Sequence, residues 1–183
     1  LMFIVFTAMA VRYWLLGPLL ESVGANFFQS DFSFAIYILS LVLIAAGGNV
    51  INDYFDAKAD IVNRGNKSII NVSLDRRVAI YGHQGLTAMG LVLGLYYAWV
   101  NDTALLFSFH LFAAITLWYY SSVFKSQLLL GNLIVALLTA FIPLSTGLFE
   151  VLPILKNDGQ RIADLLNPQG VKASFYFSIL LYW

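Results

Sequence analysis

The sequence predicts an all-α fold, a polytopic transmembrane helical bundle, and three observations predict it. Hydrophobic residues are 60% of the 183 and charged residues 11%, against about 45–50% and 25% in soluble domains. Mean hydropathy is +0.80. The apolar residues gather into runs near the ~20 residues with which an α-helix crosses a hydrocarbon core of about 30 Å, and none alternates as a half-buried strand would. The same composition excludes other classes. With no cysteine there is neither a disulfide framework nor a thiolate metal site. With zero formal net charge and no dense basic patch, nucleic acid is not a partner. The partner is the lipid bilayer.

The first run covers residues 1–20. It lacks a basic leading region and a small-residue cleavage site, so it reads as a retained helix and not a signal peptide. Arg12 lies inside it, where a cation pairs across the bundle, snorkels to the interface or meets an anionic substrate. Further runs cover residues 32–51, 78–100, 104–120 and 128–152, the run 104–120 being short, and a sixth begins near Ala173 and reaches Trp183.

Charge alternates between the connections. Residues 54–77 carry Lys58, Arg64, Lys67, Arg76 and Arg77, and the turn after the fourth helix carries Lys125, whereas residues 21–31 and 101–103 hold no Lys or Arg. The positive-inside rule sends the basic loops to the cytoplasm, as in a bacterial inner membrane protein. In residues 153–172 Lys156, Arg161 and Lys172 are offset by Asp158 and Asp164. Tyr96, Tyr97, Trp99, Trp118, Tyr119 and Tyr120 near helix ends read as interfacial belts. His83 and His110, without a second His at ligand spacing, read as hydrogen-bonded structural residues.

The chemistry concentrates where the second run ends. On a helix turning about 100° per residue, Asn49, Asn52, Asp53, Asp56 and Asp60 project into a sector roughly 100° wide. Lys58 falls on the opposite side of that helix. The stripe therefore offers several oxygen ligands with excess negative charge, which suits Mg²⁺ held by one or two carboxylates plus substrate phosphates. A lone Asp-x-x-Asp in a soluble protein would read as a helix cap or a solvated loop. Acids beside bilayer-length apolar segments are costly unless paired or hydrated, and this favours a functional role.

The string Asn52-Asp53-x-x-Asp56-x-x-x-Asp60 matches the first aspartate-rich motif of the UbiA superfamily of intramembrane prenyltransferases, and the chain resembles that family. Asn63-Arg64 stands where the family commonly has Asn-Arg-Pro, with Gly65 and Ser68 in place of prolines and Lys67 in place of Arg. Tyr120, Lys125 and Gly131-Asn132 resemble the Tyr/Lys segment and the Gly-Asn helix start of the family, although Tyr120 and Lys125 are five apart where four is common. The resemblance implies a metal site of Asn52, Asp53, Asp56 and Asp60, with the three aspartates catalytic. It implies that Asn49, Asn52, Arg64, Lys67, Tyr120, Lys125 and Asn132 bind substrate. The implied reaction is Mg²⁺-dependent transfer of a prenyl group from a polyprenyl diphosphate to a membrane lipid or aromatic acceptor.

Family members have nine transmembrane helices and a second aspartate-rich motif after the sixth. Residues 1–183 are therefore expected to be a single transmembrane domain, the N-terminal two thirds of such a protein. The Tyr-Phe-Asp continuation of the motif, Lys67 and the Leu-Leu-Leu-Gly-Asn helix start look most like the geranylgeranylglycerol-phosphate geranylgeranyltransferase branch, with quinone-pathway enzymes close behind. Haem O synthase fits less well, since its Met-x-Arg-Thr sequence is absent. Two readings of other classes stay open. A cation transporter would distribute polar residues through the helix centres, whereas here they cluster at one interface. A non-catalytic subunit docking other membrane subunits would keep the fold without the second motif.

Overall fold

The computed structural model describes residues 1–22, 26–27, 29–64 and 75–157, with the side chains of 22, 58–64, 128 and 154–157 left aside. The described residues are helical apart from short connections, and no strand occurs among them. The first rod runs from α1 (Met2–Met9) through a π-helical segment (Ala10–Leu16) into α2 (Gly17–Ser22). Then come α3 (Asp31–Arg64), α4 (Arg76–Val100), α5 (Ala104–Ser122), a 3₁₀ turn (Phe124–Ser126) and α6 (Leu128–Asn157). Five of these helical stretches are long and apolar enough to cross a membrane: Met2–Glu21, Asp31–Ala57, Arg76–Val100, Ala104–Ser122 and Leu129–Pro153. The chain is an integral, multi-pass membrane protein.

Local chemistry sets the helix starts. Ser30 Oγ accepts from the Ser33 N–H at 3.1 Å, and the Asp75 carboxylate accepts from the Arg77 N–H at 2.8 Å. Each satisfies a backbone donor that the first helical turn leaves without a partner. In the hairpin between α4 and α5, Asp102 takes a left-handed φ of 49°, a conformation that Asp tolerates better than most residues.

Helix α4 packs antiparallel to α3 and to α5, which also touch each other, and small residues set how closely. A Cβ at Gly90 of α4 would stand 2.8 Å from the Ser40 carbonyl oxygen of α3. The two backbones touch at a point where only glycine fits, as small residues permit between membrane helices. Both histidines lie in these seams. His83 Nδ1–H donates to the Gly47 carbonyl at 2.9 Å, its ring lying 5.3 Å from that of Trp118. His110 Nδ1–H donates to the Leu106 carbonyl at 2.9 Å, and Ser40 Oγ lies 2.8 Å from its Nε2. They are structural, as their isolation in the sequence suggested.

The larger buried cluster sits at the end of the bundle away from Asp53 and Asp56, and a smaller one, Ala57 with Ala79, lies near them. Phe34 and Tyr37 of α3, Tyr97 of α4 and Phe149 of α6 are buried together with Ala8 and Leu106. Ring centroids are 4.4 Å apart for Tyr37–Phe149 and 4.5 Å for Tyr97–Phe149. Tyr97 therefore belongs to the core and not to an interfacial belt. Its neighbours Tyr96 and Trp99 are exposed on the outer surface, as expected.

Beside this cluster lies a charged centre. Arg12 is 1% exposed and Glu150 0%, with Arg12 Nη1 3.0 Å from Glu150 Oε1. Arg12 Nη2 donates to the Gln29 carbonyl at 2.6 Å and to Asp31 Oδ1 at 3.1 Å. Its guanidinium also lies over the Phe34 ring at 4.4 Å and the Phe27 ring at 4.7 Å. Of the three fates open to Arg12, pairing across the bundle is the one realised. The π-helical segment carries it: the Gly17 N–H reaches back five residues to the Arg12 carbonyl, a widened turn of the kind that re-aims a side chain.

Candidate functional site

The stripe sits on a continuous helix. The apolar run expected to stop at residue 51 continues as α3 to Arg64, so Asn49, Asn52, Asp53 and Asp56 share one helical face at the end of the span. Asn49 and Asp53 are exposed, and Asn52 and Asp56 are half-buried. Their spacing makes Asn52 and Asp56 neighbours one turn apart, and Asn52 Nδ2 lies 3.3 Å from Asp56 Oδ2.

Lys125 completes the arrangement from the other side. The break between α5 and α6, closed by the Phe124–Ser126 turn, places its ammonium against α3. There it donates to Asn52 Oδ1 at 2.9 Å and forms a close ion pair with Asp56 Oδ2. The side chain of Lys58 lies outside the described residues, and the stripe is partly neutralised by a residue 69 positions away. Both side chains of the pair are about a third exposed, and ion pairs of that kind are worth no more than about 1 kcal/mol. Lys125 is thus positioned by the acids without being locked to them.

These residues fit a hard divalent cation. Two oxygens, Asn52 Oδ1 and Asp56 Oδ2, already converge on one cationic group, the Lys125 ammonium. Asp53 adds an exposed carboxylate one residue along the same face. Oxygen donors with open positions for water and phosphate are the set that Mg²⁺ takes. Among the described residues no group of three or more His, Asp or Glu side chains converges as a ready-made metal cage. Metal held here would draw its remaining ligands from solvent, substrate or other parts of the protein.

The other expected site residues distribute as follows. The Asp60 and Arg64 side chains and all of Lys67 lie outside what is described. Tyr120 is half-buried on the last turn of α5, and Asn132 is exposed near the start of α6; among the described residues neither is hydrogen-bonded to the stripe. Two residues gain significance only in three dimensions. Arg76 lies with its guanidinium 4.7 Å from the Tyr54 ring centroid, at the end of the bundle that carries the stripe. Glu150 proves to be the counter-ion of Arg12; its signal in the sequence was a single acid inside a long apolar run.

Comparison with known proteins identifies the family. Residues 3–152 match the UbiA prenyltransferase family. Several digeranylgeranylglyceryl phosphate synthases are similar. That of Thermococcus gammatolerans is 38% identical over 109 residues, 60% of this chain and 38% of the relative. That of Methanosarcina barkeri is 33% identical over 108 residues, 59% and 36% of the respective chains. That of Methanoregula boonei is 35% identical over 121 residues, 62% and 42%. The chain thus spans about two fifths of the length of the curated relatives it matches. No solved structure matches it. The family match runs through α1 and the stripe of α3 and on into α6, and the chain belongs to the UbiA prenyltransferase family.

Proposed function

We propose that this chain provides the donor half of an intramembrane prenyltransferase, which moves a prenyl group from a polyprenyl diphosphate to a lipid hydroxyl. The observation that carries the reading is the meeting of Lys125 with Asn52 and Asp56 at the end of an apolar span. Cation and carboxylates side by side at that depth suit a substrate whose head is a diphosphate and whose tail is hydrocarbon. The similar proteins are named for making digeranylgeranylglyceryl phosphate. We therefore take the donor to be geranylgeranyl diphosphate and the acceptor a glycerol phosphate lipid that already carries one such chain.

Bound Mg²⁺ would supply Lewis-acid neutralisation of the diphosphate as it leaves. Asn52, Asp53 and Asp56 would hold that ion, and Asp60 would join them. Lys125 would release Asp56 and donate to a phosphate oxygen, acting as a point charge. The apolar flanks of α3 and α6 would exclude water from the allylic carbon. The bond between that carbon and the bridging oxygen breaks, and its electron pair leaves with the diphosphate. The acceptor hydroxyl oxygen forms the new bond, and its proton passes to a neighbouring base or water. Arg64, Lys67, Tyr120 and Asn132 are retained as proposed substrate contacts. The Lys and Arg of the connections at this end support a cytoplasmic orientation for it.

The test is calorimetric. The full-length protein in detergent should bind geranylgeranyl diphosphate with Mg²⁺ and lose that binding on chelation. Asp56→Ala should abolish the metal-dependent part while the protein remains membrane-inserted. Unchanged affinity in that variant would remove the site from this reading.

A further inference from the structure

The face of α3 that carries the carboxylates can be followed away from them. Asn49, Ala45, Val42 and Ile38 continue the stripe at helical spacing, and all are exposed or half-buried. One turn further the same face meets Phe34, which is buried. There the guanidinium of Arg12 covers its ring, and Phe149 of α6 lies 5.7 Å from it. Alongside, the Tyr37 hydroxyl donates to Ser145 Oγ at 2.7 Å.

Helix α6 shows the same change. Ile134, Val135, Leu138 and Ile142 are exposed or half-buried, whereas Ser145, Thr146, Phe149 and Glu150 are buried. Two apolar faces that start beside the carboxylates thus remain open for part of the span. Both then close at one level, on the aromatic cluster and the Arg12–Glu150 pair.

We propose that this closure is a stop that limits the length of the prenyl tail, the donor lying along α3 with its diphosphate at Asp53 and Asp56. The proposal rests on the prenyl-transfer reading above and adds to it a residue-level determinant of donor length. From Asp53 to Ile38 the helix advances about 22 Å at 1.5 Å per residue. With carbon–carbon bonds of about 1.5 Å, each isoprene unit extends roughly 5 Å. The open stretch therefore holds about four units, and a tail of six would run into Phe34 and Phe149. The plug is poorly compressible, because its rings pack against one another and are tied down by Tyr37–Ser145 and Arg12–Glu150.

Two substitutions move the stop in opposite directions. Phe149→Ala removes the ring that seals the α6 side and should admit about one further unit. Val42→Trp puts a large side chain about 16 Å below Asp53, by the helical rise, and should leave space for about three units. The experiment measures kcat/KM of the full-length protein, in lipid nanodiscs with Mg²⁺, for donors of two, three, four, five and six units.

Wild type should favour four units over six. Phe149→Ala should raise the five-to-four ratio by about tenfold or more, and Val42→Trp should lower the four-to-three ratio by as much, the scale on which apolar pockets discriminate small differences in chain size. If Phe149→Ala fails to fold, Val42→Trp decides alone, since its position is not in the buried core. Transfer with the length preference unchanged in the folded variants would overturn the stop and leave the prenyl-transfer reading standing. A wild-type protein that transfers none of the donors would overturn both.

Discussion

Replacing Arg12 by Leu should be among the most damaging single changes in the described part of the protein. Arg12 and Glu150 are 1% and 0% exposed and 3.0 Å apart. Removing one partner of such a buried pair typically costs about 3–5 kcal/mol, because a charge is left behind without its counter-ion in a medium that cannot solvate it. Arg12 also contributes a bond to the Gln29 carbonyl and ring contacts with Phe27 and Phe34, the latter worth roughly 0.5–2 kcal/mol when desolvated. The double variant Arg12→Leu/Glu150→Leu should recover most of the loss, since replacing a whole buried pair by apolar residues is often neutral or better. Reversible unfolding of the four proteins in mixed micelles gives the cycle, with an expected coupling energy above about 2 kcal/mol. A single variant costing less than about 1 kcal/mol, or a double variant as unstable as the single, would refute the reasoning.

Lys125→Met should leave unfolding stability within about 1 kcal/mol, as suits a pair a third exposed, while weakening Mg²⁺-dependent diphosphate binding roughly tenfold through a lost charged hydrogen bond; titration and melting together check it. Gly90→Ala should destabilise by about 1–3 kcal/mol, the range for overpacking, because the added carbon meets the Ser40 carbonyl oxygen; denaturant unfolding reads this. The native chain has no cysteine, so topology can be mapped without background. An impermeant thiol reagent applied to intact cells should label a cysteine at position 102 and spare one at 126, and the reverse pattern would invert the membrane orientation.

Some of this was decided by the sequence alone. Segment length and hydropathy required helices crossing a bilayer, since a backbone in hydrocarbon must satisfy its own hydrogen bonds. The spacing of Asn49, Asn52, Asp53 and Asp56 required a shared face if the segment was helical, and α3 carries them so. These properties are local, set by the 3.6-residue turn and by solvation of each segment. What pairs with what is not local. The Lys125 contact with Asp56 spans 69 positions, and the Arg12 contact with Glu150 depends on a π-helical turn that no pattern of apolar residues marked. Tyr97 looked interfacial because it lies near a helix end among other aromatics, yet it is core because Phe149 and Tyr37 close over it. A side chain's depth follows from which helix lies beside it, and helix neighbours are chosen by packing between distant segments, an energy that exists only once the bundle has formed.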